Sequence, residues 1–409
     1  MATFVIVGAG LAGLSAAAHL RDAGFDGRVV MVGEEAAHPY DRPPLSKGYL
    51  DGSVSSEDLA LRPPTWYAEN AVEALLGVRA IRLQPSQKTV SLSDGRALRY
   101  DKLLIATGGH PRRLRLQGGE LDGVMYLRTL SDAGRIRDTL QPGFKLCIVG
   151  AGFIGLEVAA MARSRGVDVT IVEALDAPLE GVLGSDMADF CAGVHRDAGV
   201  SFRTGTAVVA FEGRERITGL RTSADRVIAC DAAILGIGLR PSLEWLEGSG
   251  LQMRDGVLTD PYCETTVREI YAAGDAARHQ HALFGSLRVE HWQNARLQGE
   301  AAADSMLGAG EPYVEVPWFW SDQYQENLQH VGVATRWDDL VIRGNVAERR
   351  FTAFYLKDAR VSAAFGVNAG RDVRRAAKLI EARCAVEVAE LADEAVDLRD
   401  LVSVQGAVP

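Results

Sequence analysis

Two stretches of the chain share one pattern of apolar and polar positions. A short apolar run, Phe4–Val7, leads into a glycine-rich turn and then into small, helix-compatible residues up to Gly24. A second apolar run, 28–33, follows, and the same order of strand, glycine-rich turn, helix and strand returns at 145–174. This pattern predicts two strand–helix–strand units of parallel α/β structure, about 140 residues apart.

The pattern changes after about Val316. Residues 349–368 alternate between apolar and polar positions on both sides of Lys357–Ala359, which is typical of a β-hairpin. Residues 370–384 follow a helical pattern with a basic face. These elements predict a small C-terminal α+β domain of roughly ninety residues.

The first glycine-rich turn has the spacing that a dinucleotide requires. Gly8 permits a tight turn, Gly10 lets the backbone approach a pyrophosphate, and Gly13 lets the helix pack close to the strand. The helix N-terminus then faces the phosphates with its N–H groups. Glu34 closes the second strand, where a carboxylate binds ribose hydroxyls.

The second unit repeats these features. Its corresponding residues are Gly150, Gly152, Gly155 and Glu173. Two dinucleotides in one chain favour an electron-transfer enzyme. Glu173 is followed by Asp176 and Glu180, with no basic residue in 174–181, so the 2′-phosphate of NADPH would meet only negative charge. The sequence therefore favours NADH.

Composition and charge narrow the class of protein. The 409 residues, 47% hydrophobic and 24% charged, are ordinary for a globular chain of two or three domains. A net charge of −10 disfavours nucleic-acid binding, which depends on lysine and arginine. The first predicted strand begins at about Thr3, which leaves no room for a signal peptide, and no apolar run approaches a membrane span. We expect a cytoplasmic protein that does not bind membranes.

The cysteines and histidines predict no metal site. The five cysteines lie far apart without a CxxC pair, which argues against a redox-active dithiol or a zinc site and favours structural thiols. They are Cys147, Cys191, Cys230, Cys263 and Cys384. We interpret His279 and His281 as a solvated loop pair.

The segment PYDRPPLSKGYL, residues 39–50, places Lys47 behind a run of prolines. On local grounds the segment is a rigid connection, because proline fixes its own φ and restricts the residue before it.

Several motifs together resemble a known family. Residues 100–114 and 268–278 are similar to the ATG and GD segments of two-dinucleotide flavoprotein reductases of the glutathione-reductase fold. Residues 39–50, 126–133, 288–299 and 316–332 resemble the NADH-dependent ferredoxin reductases that serve bacterial oxygenases. The resemblance implies an α/β fold with two Rossmann-like domains, the NAD domain inserted into the FAD domain, and a small C-terminal α+β domain. The implied boundaries are 1–110 and 241–315 for FAD, 111–240 for NADH, and 316–409 for the C-terminal domain.

The resemblance also implies the residues that hold the two cofactors. Those expected to bind FAD are Gly8, Gly10, Leu11, Ala12, Gly13, Glu34, Arg42, Lys47, Val78, Thr107, Gly108, Arg128, Gly274, Asp275 and Trp292. Those expected to bind NADH are Gly150, Gly152, Phe153, Ile154, Gly155, Glu157, Glu173, Gly236, Ile237 and Gly238. Asp275 is expected to bond the ribityl chain, and its alternative role is a turn or N-cap aspartate.

Three residues are expected to be catalytic by the same resemblance: Lys47, Glu157 and Trp320. The lysine would lie beside the reactive nitrogen of the flavin and pair with Glu157, which would keep it charged despite desolvation. Trp320 and Trp292 would lie against or near the isoalloxazine. The alternative for both tryptophans is a core position at a domain interface.

The expected reaction passes electrons from NADH through FAD, one at a time, to a [2Fe-2S] or similar ferredoxin that feeds a cytochrome monooxygenase or a Rieske dioxygenase. An acidic ferredoxin would need a local basic patch, for which the candidates are Arg62, Arg288, Arg296 and Arg371; the alternative for each is ordinary solvated charge. The sequence departs from the family by lacking arginines just after Glu173. Two other functions stay open, a flavin NADH oxidase or peroxidase and a redox-sensing protein similar to apoptosis-inducing factor.

Overall fold

The computed structural model describes residues 1–403. The strands are β1 (Thr3–Val7), β2 (Arg28–Gly33), β3 (Val72–Leu76), β4 (Ala80–Gln84), β5 (Thr89–Leu92), β6 (Ala97–Arg99), β7 (Lys102–Ile105), β8 (Gly109–Pro111), β9 (Val124–Tyr126), β10 (Lys145–Val149), β11 (Asp168–Val172), β12 (Ser201–Arg203), β13 (Val208–Gly213), β14 (Ile217–Thr222), β15 (Val227–Ala229), β16 (Ala232–Leu235), β17 (Leu239–Pro241), β18 (Val257–Thr259), β19 (Ile270–Ala272), β20 (Ala277–His281), β21 (Gly285–Leu287), β22 (Trp318–Gln323), β23 (Glu326–Gly332), β24 (Asp339–Asn345), β25 (Arg350–Lys357) and β26 (Arg360–Val367). The α-helices are α1 (Leu11–Asp22), α2 (Gly48–Asp51), α3 (Pro64–Glu69), α4 (Leu130–Thr139), α5 (Phe153–Ser164), α6 (Glu180–Asp197), α7 (Trp292–Leu307), α8 (Gly370–Ala382), α9 (Val388–Ala392) and α10 (Asp400–Ser403).

The chain forms two compact units. The first contains residues 1–41, 59–110 and 240–319, and the second contains 42–58, 111–239 and the part from 320 onward. Each unit has its own parallel sheet, and the second also has an antiparallel C-terminal sheet. The predicted α/β class with two Rossmann-like sheets and a C-terminal α+β part is confirmed. The three-domain boundaries stay a prediction.

The sheet of the first unit has five strands in the order β19-β7-β1-β2-β3, all parallel. Along β1, Phe4 and Ile6 pack into one core cluster, while Val5 and Val7 pack into another. Successive side chains of a strand point to opposite faces. Both faces of β1 are therefore buried, which explains why the strand reads as a continuous apolar run.

The sheet of the second unit has the order β12-β11-β10-β16-β9, and its pairings are also parallel. The predicted strand, turn, helix and strand at 145–174 form β10, α5 and β11. A three-stranded antiparallel sheet, β13-β14-β15, accompanies it. The local pattern of the second glycine-rich segment is therefore confirmed as a strand–helix–strand unit.

The C-terminal sheet has the order β22-β23-β26-β25-β24. The predicted hairpin is confirmed as β25 and β26, which pair antiparallel. Asp358 and Ala359 join the two strands with φ of 50° and 57°, the left-handed conformation that a tight two-residue hairpin turn requires. The predicted helix is α8, and it buries one apolar stripe that consists of Val373, Ala376, Leu379 and Ile380.

Candidate functional site

The glycine-rich turn of the first unit allows two very close backbone approaches. Gly8 has φ +126°, and a Cβ on it would lie 2.0 Å from the carbonyl oxygen of Ala106. A Cβ on Gly13 would lie 1.9 Å from the carbonyl oxygen of Gly8. Since neither distance is compatible with a side chain, β1, α1 and the chain after β7 reach this packing only with glycine at both positions.

Gly10 differs from its neighbours because a Cβ there would meet nothing within 4 Å. Gly10 is the N-cap of α1, a helix of 12 residues whose first turn carries no acidic residue. Leu11 and Ala12 form the first helical positions. The helix N-terminus therefore faces open space with its positive dipole end, an arrangement that fits a pyrophosphate.

Several sequence-predicted residues meet at one edge of this sheet. Val7 lies beside Val32 and Ile105, and Ile105 lies beside Ala272, so the strands end in register. Carboxyl ends of parallel strands form the ligand-binding edge of such folds. Among the sequence-predicted residues, those that follow these strands within three positions are Gly8, Gly10, Glu34, Val78, Thr107, Gly108, Gly274 and Asp275.

Individual contacts fix some of these side chains. The carboxylate of Glu34 lies 3.6 Å from Arg79, and the hydroxyl of Thr107 donates to the carbonyl of Ser242 at 3.0 Å. Asp275 is half-buried on a 3₁₀ turn. Trp292 begins α7, and its Nε1 donates to Asp41 at 2.7 Å. These residues all belong to the first unit.

Three residues expected to bind FAD lie in the second unit instead: Arg42, Lys47 and Arg128. The guanidinium of Arg42 donates to the carbonyl oxygen of Arg128. Arg128 directly precedes Thr129, which caps α4 through a capping box with Asp132. A capping box satisfies two of the free N–H groups at a helix start. The backbone that presents Arg42 and Arg128 is therefore held in place.

The second unit builds a matching nucleotide loop. Gly150 has φ +98° and a Cβ on it would lie 2.5 Å from the carbonyl oxygen of Gly236, while a Cβ on Gly155 would lie 2.4 Å from that of Gly150. A Cβ on Gly152 would meet only the Gly236 carbonyl, at 3.9 Å. The loop 236–238, with Ile237 and Gly238, follows β16, whose end lies beside the end of β10. This arrangement also fits a dinucleotide phosphate.

The carboxylate of Glu173 is held by two backbone N–H groups. One carboxylate oxygen accepts from the N–H of Ala151 at 2.6 Å, and the other accepts from the N–H of Leu175 at 2.9 Å. Two exposed apolar side chains accompany it, Ile154 in the first turn of α5 after Phe153, and Leu175, each 51% exposed.

The proline-rich segment delivers Lys47 to a cluster in the second unit. Pro43 and Pro44 begin a 3₁₀ turn that ends at Ser46, and the N–H of Lys47 donates to the carbonyl of Pro44 at 3.0 Å. The Lys47 ammonium lies 3.4 Å from Glu157. The expected pair of Lys47 with Glu157 is therefore present, while its catalytic role stays a prediction.

Strand β22 adds two further partners to Lys47. The carboxylate of Asp322 lies 3.1 Å from the ammonium, and the ring centroid of Trp320 lies 5.3 Å from it. Sequence reasoning missed Asp322. The sequence spacing nevertheless indicates that Asp322 lies on the same face as the predicted site residue Trp320, because residues two apart on a strand share a face.

Glu157 is 7% exposed. Burial raises the pKa of its carboxyl, while the positive charge of Lys47 and the hydroxyls of Ser46 and Ser321 act in the opposite direction. Ser46 donates to one carboxylate oxygen, and Ser321 donates to the other at 2.7 Å. A buried charge is tolerated only when it is paired and hydrogen-bonded in this way. Neither serine was singled out from the sequence.

The proposed docking arginines have different surroundings. Arg62 lies over the ring of Trp66, Arg296 lies over Trp292 and pairs with Glu300 at 3.2 Å, and Arg371 is exposed on α8. The prediction for Arg288 is wrong. Its side chain is only 8% exposed and its charge is neutralised by Asp255 and Glu290.

The interpretation of His279 and His281 as a solvated loop pair is also wrong. Both lie on β20 and are 2% and 3% exposed, because the strand is covered on this face. Within residues 1–403, no group of three or more histidine, cysteine or acidic side chains is arranged to hold a metal ion. All five cysteines are buried free thiols.

No helix in the described part of the chain is both long enough and apolar enough to span a bilayer.

Comparisons with known proteins cover nearly the whole chain. The family profile described as pyridine nucleotide-disulphide oxidoreductase matches residues 2–299, and one described as reductase C-terminal matches residues 318–402. Rhodocoxin reductase of Rhodococcus erythropolis is 37% identical over 97% of this chain and 93% of its own. The 5,5′-dehydrodivanillate O-demethylase ferredoxin reductase subunit of a Sphingobium species is 38% identical over 98% of both chains. A chain in the covalent putidaredoxin reductase–putidaredoxin complex matches with a TM-score of 0.96 and 37% identity, over 100% of this chain and 99% of that chain.

Proposed function

Because this chain belongs to the pyridine nucleotide-disulphide oxidoreductase family, we propose that it is an FAD-dependent ferredoxin reductase, which takes electrons from NADH and passes them singly to a [2Fe-2S] or similar ferredoxin. The observation that carries this proposal is the pair of open glycine-rich loops in a chain whose cysteines are all buried free thiols. Cys147 and Cys230 are neighbours, but both are buried, so neither offers an exposed dithiol to receive electrons, and we take the acceptor to be a separate molecule. The name of the ferredoxin reductase subunit from Sphingobium supports a ferredoxin in that role, and the solved reductase–putidaredoxin complex supports a separate protein as the acceptor.

When bound, FAD would accept two electrons from NADH and release them one at a time. In the proposal, the N-terminus of α1 holds the pyrophosphate, Glu34 binds ribose hydroxyls and Asp275 bonds the ribityl chain. The remaining first-unit residues expected at the cofactor are Gly8, Gly10, Leu11, Ala12, Gly13, Val78, Thr107, Gly108, Gly274 and Trp292. Arg42 and Arg128 are further proposed contacts to FAD.

The loop of 150–155 is proposed to hold NADH with the N-terminus of α5. Glu173 sets coenzyme choice, because its carboxylate is fixed by two backbone amides and cannot turn away from the ribose. A 2′-phosphate would face this fixed negative charge and the following Asp176 and Glu180. The other proposed contacts are Gly150, Gly152, Phe153, Ile154, Gly155, Gly236, Ile237 and Gly238.

Lys47, Glu157 and Trp320 are the proposed catalytic residues. Lys47 would stabilise the negative charge that the flavin gains on reduction. Glu157 would keep the ammonium charged and in position, since it is the buried partner while Asp322 is half exposed. Trp320 packs against the same ammonium and would limit its movement.

We propose that an acidic ferredoxin docks transiently by electrostatic attraction to local basic residues, with Arg62, Arg296 and Arg371 as the candidates. The ferredoxin would feed a cytochrome monooxygenase or a Rieske dioxygenase. A cytoplasmic location agrees with five reduced cysteines and with NADH as donor. We further propose the three-domain division with boundaries at 1–110 and 241–315, 111–240, and 316–409.

The test compares NADH consumption with cytochrome c as final acceptor, in the presence and absence of an added [2Fe-2S] ferredoxin. We expect ferredoxin to accelerate cytochrome reduction strongly, because its iron–sulfur centre accepts the single electrons. Rapid oxidation of NADH by oxygen or peroxide, without any acceleration by ferredoxin, would instead identify an NADH oxidase or peroxidase.

A further inference from the structure

A line of buried polar side chains leads away from Glu157 within the second unit. Ser321 donates to Glu157 at 2.7 Å, and the side-chain amide of Gln323 donates to Ser321 at 3.0 Å. Nε2 of His195 lies 2.8 Å from Oε1 of Gln323, and the hydroxyl of Tyr324 lies 3.0 Å from Nδ1 of His195. We call these four residues, Ser321, Gln323, His195 and Tyr324, the β22–α6 chain.

The middle residues of the β22–α6 chain are shielded from water. Ser321 and His195 are fully buried and Gln323 is 1% exposed. Burial lowers the pKa of His195 to about 4, so its imidazole is neutral near pH 7. A neutral imidazole has one donor nitrogen and one acceptor nitrogen. The hydrogen bonds of the chain therefore run in one of two directions.

The charge of Glu157 selects between these directions. An ionised carboxylate only accepts hydrogen bonds, so Ser321 must donate to it. Gln323 must then donate to Ser321, which turns its carbonyl oxygen towards His195. His195 consequently carries its proton on Nε2, and Tyr324 donates to Nδ1. A protonated Glu157 would permit every one of these bonds to reverse.

We propose that Gln323 and His195 are positioning residues, which hold Ser321 as a donor to Glu157 and so stabilise the ionised carboxylate that pairs with Lys47. Hydrogen bonds that all point the same way polarise and strengthen one another in a buried site. The chain acts on the flavin only through Glu157 and Lys47, and in that respect the inference rests on the proposed function.

Few charged groups act on the chain. Glu157 is faced by Lys47 and Ser46 from residues 42–58 and by Ser321 from β22. His195 is faced by Gln323, Tyr324 and the ring edge of Phe202. Two further charges act on this cluster: Asp322 pairs with Lys47, and the positive charge of Arg163 acts on the Tyr324 hydroxyl.

The tautomer of His195 tests the direction of the chain. In protein labelled with ¹⁵N-histidine, NMR should show the Nε2–H form between about pH 6 and pH 8. Tyr324→Phe removes the outer end of the chain and should leave this tautomer unchanged. Ser321→Ala separates the chain from Glu157 and should give a mixture of the two tautomers. An Nδ1–H form in the wild type, or an unchanged spectrum in Ser321→Ala, would overturn the inference.

A second measurement tests the effect on Glu157. With FAD bound, Gln323→Met removes the donor to Ser321 while nearly preserving side-chain volume. Because one neutral hydrogen bond typically changes an equilibrium by up to about tenfold, the acid limb of flavin reduction by NADH should move to higher pH by up to about one unit. The matched control is Thr352→Val, since in the described structure the buried Thr352 hydroxyl of β25 makes no hydrogen bond.

The outcomes separate this inference from the proposed function. The positioning role would be refuted if FAD-containing Gln323→Met showed the same pH dependence of flavin reduction as the wild type and Thr352→Val. A protein that binds no FAD would refute the proposed function, and the His195 tautomer, which is measured without coenzyme, would still decide the direction of the chain.

Discussion

Replacing Lys47 with methionine removes the positive charge that faces Glu157. The two charged groups are 3.4 Å apart, which corresponds to about 5 kcal/mol at an effective dielectric constant near 20, before any relaxation. Burial already raises the pKa of Glu157. Without Lys47 this effect is no longer opposed by an ammonium, so we expect the pKa of Glu157 to rise further in Lys47→Met.

The flavin potential should fall in the same variant. One charge that acts over about 5 to 10 Å at the same dielectric constant is worth about 2 to 3 kcal/mol, or about 45 to 65 mV for a two-electron couple. Protonation of Glu157 would remove a negative charge as well and cancel part of this shift. We therefore expect a decrease of tens of millivolts and slower reduction by NADH.

Spectroelectrochemical titration measures the flavin potential, and stopped-flow spectroscopy measures the rate of reduction by NADH. Lys47→Arg keeps the charge and is the matched control. Glu157→Gln should shift the potential in the opposite direction, because it removes a negative charge. An unchanged potential and an unchanged rate in Lys47→Met would refute the electrostatic argument, and residues 39–50 would then be only a stiff turn.

Three further predictions concern the cofactors and the pH dependence of folding. The purified protein should be yellow with non-covalent FAD, and a colourless protein that cannot be reconstituted would contradict the roles of Gly10 and Asp275. Glu173→Ala combined with Ala174→Arg should lower the preference for NADH at least about tenfold in kcat/KM, whereas equal use of NADPH by the wild type would contradict the charge argument. Burial lowers the pKa of His195 and His279 from 6.5 to about 4, so the stability that each contributes as a neutral group is present above about pH 6.5 and is lost as the pH falls towards 4. Denaturant titrations at pH 7 and pH 5 should differ by about 2 kcal/mol for each histidine, and a pH-independent unfolding free energy would refute this.

The cofactor loops were predictable because their chemistry is local. Gly8 and Gly13 lie five positions apart, and their roles depend on contacts among β1, α1 and the chain after β7 that any such unit must make. The strands were predictable for the same reason, since burial on both faces leaves a continuous apolar run. The hairpin at 349–368 followed from two β-prone segments on either side of a turn, although both strands are buried along most of their length and do not alternate between buried and exposed positions.

The charge cluster was harder to predict because it depends on long-range pairing. Lys47 and Asp322 are 275 positions apart, and Ser321 and Glu157 are 164 apart. The two-residue spacing places Asp322 on the same face of β22 as Trp320, but no local pattern indicates which distant residues that strand meets. Arg288 shows the converse. The sequence alone suggested a docking role, because nothing in it shows that Asp255, 33 positions away, pairs with this arginine and neutralises its charge.

In the proposed function, the residues that hold the cofactor differ from the residues that control its potential. The open loop around Gly10 and the half-buried Asp275 belong to the first unit, whereas Lys47, Glu157 and Asp322 all belong to the second. In the proposed function, phosphate and ribityl contacts supply most of the affinity for FAD, while a single ammonium acts on the ring. Changes to Lys47 should therefore alter potential and rate with little loss of bound FAD. Changes to Gly10 should release FAD and leave the Lys47–Glu157 pair intact, because Ser46 and Ser321 hold Glu157 within the second unit.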